Sequence, residues 1–227
     1  CCTRVCKSPE PAADRITGMA AAARKLYAEH GAACIAAIHF RHNKPVSCLH
    51  PPYSLFLVEL LAPAFGGPDC HTRLSHAALP ANPGMYEFQD EWANPQSPFT
   101  DEQRQQVRDH PEASVQRLKA VGVDDPLWFA IVRQHHERAD GSGYPLGLAD
   151  DQVLNEALLI GLIDRYLSFV MPRVNRKWTH PTAALKIIHE DAGAYRASNI
   201  ATFIKRLGVY PPGTSVRLAN GDVAVVT

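Results

Sequence analysis

Three histidines and one aspartate have the residue types and positions that metal-dependent chemistry uses. His135 and His136 are adjacent, and His110 lies one predicted helix earlier. Asp164 interrupts the apolar stripe of a later predicted helix. A carboxylate on an apolar face is costly unless it is paired or bound to a metal, and imidazole with carboxylate suits Zn, Mn or Fe. From spacing alone, a metal site and a metal-free, hydrogen-bonded His–Asp cluster fit equally well.

The helix that must position His110 has a clear start signal. Thr100 is a good N-cap residue, and Gln103 stands at the capping-box position three residues later. Val107, His110 and Leu118 then recur at helical spacing along one stripe. The sequence therefore predicts a helix after Thr100 with His110 on its inward face.

The next predicted helix carries the histidine pair. Asp125 is its N-cap and Pro126 occupies its first turn. Apolar residues at three-to-four spacing lead to His135, and the glycine-rich turn at 140–143 is predicted to end the helix. On such a helix His136 lies about 100° around the axis from His135. Both side chains can then border one site only at the edge of the helix.

The rest of the chain is predicted to be mainly helical. A helix over 154–169 carries Asp164, and a change to period two around the Asn220-Gly221 turn predicts a C-terminal β-hairpin within 209–227. The expected organisation is an N-terminal helical extension over 1–44 and one domain over 45–227. Further helices are predicted over 12–30, 32–40, 51–65, 71–79, 182–191 and 198–207.

Charge and hydropathy exclude several classes of partner. The 227 residues contain 23 Lys and Arg and 23 Asp and Glu, which gives a formal net charge of zero. This balance argues against a partner that is a nucleic-acid polymer. No apolar run approaches the about 20 residues that span a bilayer. The six cysteines are expected to be thiols in a reducing compartment, so a cytoplasmic location is expected.

The strongest signature follows the histidine pair. The string His-His-Glu at 135–137, followed by Asp-Gly-Ser-Gly-Tyr-Pro at 140–145, resembles the signature of the HD-GYP domain, a branch of the HD metal-dependent phosphohydrolases. His110 and Asp164 also match positions of that family, and His50 resembles a histidine of its first core helix. The resemblance implies an all-α, HD-type helical bundle with a small C-terminal β-hairpin. It also implies metal-assisted hydrolysis of cyclic di-GMP.

The chain departs from the family at its namesake His-Asp pair. In the corresponding stretch Ala81 replaces the His, Asn82 replaces the Asp and Met85 replaces a Lys. A neutral amide cannot bridge two cations as a carboxylate can, and two unbridged dications repel strongly. A binuclear site is therefore not expected. His76 is a weak candidate for a substitute ligand.

The expected metal site therefore holds one divalent cation, Fe, Mn or Zn. His110, His135 and His136 are its expected ligands, with Asp164 as a further ligand or a nearby base. Three histidines plus water is a known catalytic arrangement for zinc. Asp164 and Asn82 are the candidate catalytic residues.

The intact loop implies ligand and partner contacts. By resemblance, Gly141, Gly143, Tyr144 and Pro145 are expected to contact cyclic di-GMP, and the same loop to meet a diguanylate-cyclase (GGDEF) domain. A simpler interpretation is a helix terminator in which both glycines adopt positive φ. Two functions stay open: an impaired cyclic di-GMP phosphodiesterase, and a non-catalytic nucleotide-binding or scaffold domain. Two further candidates for phosphate binding are Arg173 and Arg176.

Overall fold

The computed structural model describes residues 12–40, 44–79, 81–85, 88, 98–171 and 178–227. Over these ranges the chain is mainly helical, with one two-stranded antiparallel sheet at the C-terminus. None of the described helices is both long and apolar enough to cross a membrane. The helices are α1 Ala12–His39, α2 Val46–Leu61, α3 Pro68–Ala78, α4 Asp101–Ala120, α5 Pro126–Gln134, α6 Asn155–Val170, α7 Pro181–Glu190, α8 Ala192–Tyr195 and α9 Ala197–Leu207, and the strands are β1 Ser215–Arg217 and β2 Val223–Val225.

Helix α6 is the central element of the core. It is apolar nearly all round, as expected for a helix that is covered on every side. It packs against α2, α3, α5 and α7. Leu158, Leu162 and Tyr166 are fully buried. Any polar group on α6 therefore lies close to several other helices.

Local start signals predict the two helices that carry the histidines. The Thr100 side chain accepts from the backbone N–H of Gln103 at 3.2 Å, and the Gln103 side chain accepts from the N–H of Thr100 at 3.0 Å. Asp125 accepts from the N–H groups of Leu127 and Trp128, both at 3.0 Å. The predicted N-caps of α4 and α5 are confirmed.

Two helix boundaries near the site differ from the sequence prediction. Helix α5 ends at Gln134, well before the glycine-rich turn that was predicted to end it. Helix α2 begins at Val46, so Pro51 and Pro52 lie inside it and do not start it. Burial of Val46, His50 and Pro51 outweighs the loss of two backbone donors there.

The predicted C-terminal hairpin is confirmed. Strands β1 and β2 pair with Val216 opposite Ala224. Just before β1, Gly213 adopts φ +86°, and a Cβ there would lie 2.6 Å from the carbonyl oxygen of Ala36 on α1. His39, also on α1, hydrogen-bonds the Pro212 carbonyl at 2.7 Å. These contacts hold the hairpin against α1, and a domain boundary at residue 44 stays a prediction.

Candidate metal and nucleotide site

The three predicted histidine ligands converge. His110 lies on α4, His135 is the C-cap of α5, and His136 follows it. One ring nitrogen from each lies within 4.8 Å of the other two. The Nε2 atoms of His110 and His135 are 3.4 Å apart. The cluster is buried inside the helical bundle, with His136 at its outer edge.

Backbone carbonyls fix the orientation of two of these rings. His110 Nδ1 donates to the Val107 carbonyl, and His135 Nδ1 donates to the Val132 carbonyl, both at 2.6 Å. A carbonyl can only accept, so each Nδ1 carries the hydrogen and each neutral ring presents a lone pair at Nε2. Burial, followed by the charge on His135, lowers the pKa of His110 to about 3.

The facing lone pairs make the cluster suited to a cation. Burial also lowers the pKa of His135 and of His136, so the imidazoles are neutral at pH 7. Two unprotonated Nε2 atoms 3.4 Å apart repel each other when nothing lies between them. Neutral imidazole nitrogens are the ligands that Zn, Mn and Fe accept. The residues present therefore fit a divalent metal.

His136 lies just beyond the end of helix α5. His135 has φ −65° and ψ −11°, and the N–H of Glu137 bonds the carbonyl of Gln134. The α-helix therefore ends at Gln134, and His135 and His136 lie in the tight turn that follows it. Tyr144 stacks on the ring of His136 at a centroid distance of 4.8 Å.

Glu137 holds the Gly-Tyr-Pro loop against the histidine pair. Its fully buried carboxylate accepts from the N–H groups of Leu146 at 2.6 Å and Leu148 at 3.0 Å. The sequence analysis gave Glu137 no role, although an acid inside the His-His-Glu string was the available signal. The N–H of Tyr144 also bonds the His136 carbonyl at 3.1 Å. The loop thus folds back over the cluster.

The two glycines of the loop act differently from each other. Gly141 adopts φ +77°, as predicted for a terminating turn. Gly143 does not have a positive φ, so that prediction is wrong for it. A Cβ at Gly143 would lie 2.5 Å from Glu137 Cα and 2.5 Å from the Arg138 nitrogen. Gly143 is therefore required by close backbone approach.

Asp164 lies beside the histidines and is bound by two other donors. One turn before it, a Cβ at Gly161 would collide with the His135 carbonyl oxygen, so α6 passes very close to the cluster. Asp164 Oδ1 accepts from His50 Nε2 at 3.0 Å and from Asn82 Nδ2 at 3.2 Å. Burial alone would raise the pKa of Asp164. The hydrogen bond and charge of His50 together lower it well below its usual range.

The segment from Ala81 to Met85 is packed firmly on α4. A Cβ at Gly84 would lie 2.5 Å from the His110 carbonyl oxygen, and the N–H of Gly84 donates to Ser114 Oγ at 3.0 Å. Ala81 and Asn82 are both buried. Asn82 meets Asp164 as a hydrogen-bond donor, and Ala81 has no ligand atom.

A cavity of about 380 Å³ opens beside His136. Tyr144 and Asp164 are the other predicted site residues that line it, while Gly141, Gly143 and Pro145 belong to the loop. The sequence analysis missed Arg138 and Arg165, although Arg138 directly follows the His-His-Glu string. The lining residues are His136, Arg138, Ser142, Tyr144, Gly161, Asp164, Arg165, Ser168 and Tyr195.

Three other candidates were predicted from the sequence. Arg173 and Arg176 lie outside the described residues. His76 contacts Thr17 at 3.4 Å and packs against Trp128 at a centroid distance of 5.2 Å. His76 therefore gives no sign of replacing a missing ligand.

The chain is similar to several known proteins. The HD domain family matches residues 67–198. Cyclic di-GMP phosphodiesterase PA4108 of Pseudomonas aeruginosa is 28% identical over 198 residues, which are 87% of this chain and 48% of that protein. A probable cyclic di-GMP phosphodiesterase of Vibrio cholerae is 38% identical over 65 residues, 29% of this chain and 15% of that protein. The chain spans about half the length of PA4108.

A solved structure shares the fold. Bd1817, an HDG"Y"P protein from Bdellovibrio bacteriovorus, matches with a TM-score of 0.71 at 18% identity, over 89% of this chain and 66% of that one. The prediction of an all-α, HD-type bundle with a small C-terminal hairpin is confirmed.

Proposed function

The chain belongs to the HD domain family, and from that premise we propose that it is a metal-dependent phosphohydrolase domain that acts on cyclic di-GMP. We further propose that it works with one divalent cation and turns over slowly. The substrate is suggested by the names of two relatives, a cyclic di-GMP phosphodiesterase and a probable cyclic di-GMP phosphodiesterase. The observation that carries the proposal is the convergence of three neutral imidazoles beside a cavity that also contains a carboxylate.

His110, His135 and His136 would hold the cation, with Fe, Mn and Zn as the candidates. When bound there, a divalent cation polarises a phosphoryl oxygen and lowers the pKa of a water molecule. The carbonyls of Val107 and Val132 keep the Nε2 lone pairs of two rings aimed at the cation. The donor set is thereby oriented before a cation binds.

Asp164 is the proposed proton acceptor. It lines the cavity next to His136. The bonds from His50 and Asn82 occupy its Oδ1, which leaves Oδ2 for a proton from the attacking water. Asn82 therefore acts as a positioning residue for Asp164.

Slow turnover follows from the Ala81-Asn82 replacement. Two dications close together need a bridging anion to offset their repulsion. Ala81 supplies no ligand, and the Asn82 amide is neutral and already bonded to Asp164. One cation can polarise a phosphate, but the charge that develops on the attacking and leaving oxygens is then less well neutralised.

Metal content and turnover test the proposal together. Protein loaded with Mn or Fe is expected to retain about one cation per chain, by the ligand count above, and to hydrolyse cyclic di-GMP slowly. His135→Ala should abolish both cation retention and hydrolysis. His189→Ala, at an exposed position of α7, is the matched control and should change neither. Hydrolysis that survives His135→Ala would contradict the proposal.

A non-catalytic binding domain is the second candidate, and the Asn82–Asp164 bond favours it. An acid whose Oδ1 already accepts two donors is stable without a second cation and needs no catalytic role. Micromolar affinity for cyclic di-GMP, with no hydrolysis in Mn, Fe or Zn, would support this function over the first.

Docking of a diguanylate-cyclase domain on the Gly-Tyr-Pro loop is a separate proposal. It is supported by Leu146, which directly follows the loop and is 60% exposed. Leu146→Asp should weaken binding of a purified diguanylate-cyclase domain. Leu127→Asp, at a position 38% exposed on α5, should leave that binding unchanged. The cytoplasmic location expected from the sequence likewise stays a prediction.

A further inference from the structure

The backbone around Arg138 is held on both sides. The N–H of Gly141 bonds the Arg138 carbonyl at 2.9 Å, and the N–H of Ala139 bonds the Ala194 carbonyl on α8 at 2.8 Å. Gly143 packs directly against the Arg138 nitrogen. A side chain that starts from such a fixed backbone loses less freedom when it binds a ligand.

The guanidinium of Arg138 differs from its neighbours in having no carboxylate partner. Arg133 is paired with Glu112 at 2.6 Å, and Arg165 is paired with Asp191 at 3.3 Å. Arg165 also lies over an aromatic ring. Within the described part of the chain, no carboxylate lies within ion-pair distance of Arg138. Arg138 is half-buried in the cavity wall, so its charge is available to a ligand.

The wall of the cavity contains cationic groups that could bind an anion. Its lining contains two guanidinium groups and one carboxylate, and that carboxylate, Asp164, already accepts from His50 and Asn82. Asp140 is the other nearby acid, and its carboxylate accepts from the N–H and hydroxyl of Ser142. Arg138 and His136 line the same cavity.

We propose that Arg138 binds a phosphate of the ligand and places it next to His136, at the edge of the histidine cluster. This deepens the proposed function, on which it rests for the identity of the nucleotide. A planar guanidinium donates two parallel hydrogen bonds to phosphate oxygens, which fixes orientation as well as affinity. Arg165 contributes less to phosphate binding, because it is already paired with Asp191. The expected ligand is a nucleotide phosphodiester whose negatively charged phosphate lies against the cavity wall at Arg138.

Binding to metal-free protein tests the inference apart from catalysis. The whole chain is stripped of cations, and its affinity for cyclic di-GMP is measured by calorimetry. Arg138→Gln should weaken binding roughly 10- to 100-fold, as expected for loss of a charged hydrogen-bond pair. Arg138→Lys should recover part of that loss, because it restores the charge without the fork. Arg133→Gln, which removes a charge near the same turn, should bind like wild type.

The outcomes separate this inference from the proposed function. Equal affinities for wild type and Arg138→Gln, or an equal loss in Arg133→Gln, would overturn the inference even if hydrolysis occurs. A selective loss in Arg138→Gln supports it even if hydrolysis is never seen. Circular dichroism of each variant confirms folding. If Arg138→Gln does not fold, an Arg138→Lys affinity equal to wild type overturns the inference, because only the fork is lost.

Discussion

Replacing Glu137 by glutamine tests whether its carboxylate holds the loop over the histidines. The carboxylate is fully buried and accepts from the N–H groups of Leu146 and Leu148 at 2.6 and 3.0 Å. A glutamine of the same shape offers one oxygen, so one of these donors would face an NH2 group. Hydrogen bonds to charged acceptors contribute about 1.5–3 kcal/mol each. We expect the free energy of unfolding to fall by about 2–3 kcal/mol.

Urea unfolding followed by fluorescence measures this loss. The matched control is Glu112→Gln, whose half-exposed partner Arg133 lies at 2.6 Å. Surface pairs of this kind contribute about 0–1 kcal/mol, so the control should stay near wild type. Glu137→Gln should also retain less cation, because the loop carries Tyr144 over His136. An unfolding free energy within about 0.5 kcal/mol of wild type, a typical surface-substitution effect, would refute the reasoning.

Three further predictions concern packing, pH and metal count. Gly161→Ala should lower the free energy of unfolding by about 1–3 kcal/mol and reduce cation retention, because its Cβ meets the His135 carbonyl; thermal melting and metal analysis check both. Burial lowers the pKa of His39 in the folded protein. When the pH falls below the ordinary histidine pKa of about 6.5, His39 therefore binds a proton in the unfolded state but not in the folded state. Stability should then drop between pH 7 and 5, and urea titrations of His39→Gln should show a shallower dependence. Asn82→Asp places a second carboxylate 3.2 Å from Asp164 and should destabilise the metal-free protein by about 2–4 kcal/mol. Added Mn should restore this stability and raise the bound metal above the wild-type content, which melting and metal analysis would register.

The parts of the fold set by local chemistry were predictable from the sequence. Thr100 and Asp125 accept from N–H groups within three residues of themselves. The first residues of their helices are therefore determined by residues that are close in the sequence. The inward position of His110 followed from helical spacing alone. The three histidines of the cluster could be predicted from the sequence for the same reason. The distances and orientations of their rings could not.

The parts set by distant contacts were not predictable. The end of α5 at Gln134 depends on a loop that Glu137 anchors, and that anchoring is visible only in three dimensions. The bond between Asn82 and Asp164 joins residues far apart in the chain. The free charge of Arg138 depends on which carboxylates surround it. In each case a tertiary contact determines the role of a residue whose role the neighbouring sequence does not specify.

The arrangement around Asp164 supports the proposal of a single cation. His50 and Asn82 both donate to Asp164 Oδ1, so the acid is satisfied without a metal. An aspartate in place of Asn82 would instead set two carboxylates against each other and would need a cation between them. A cation bound between the Nε2 atoms of His110 and His135 would relieve the repulsion of their facing lone pairs. Under the proposed function, Asn82 thus removes the need for a second cation, and the three histidines that would bind the first one are retained.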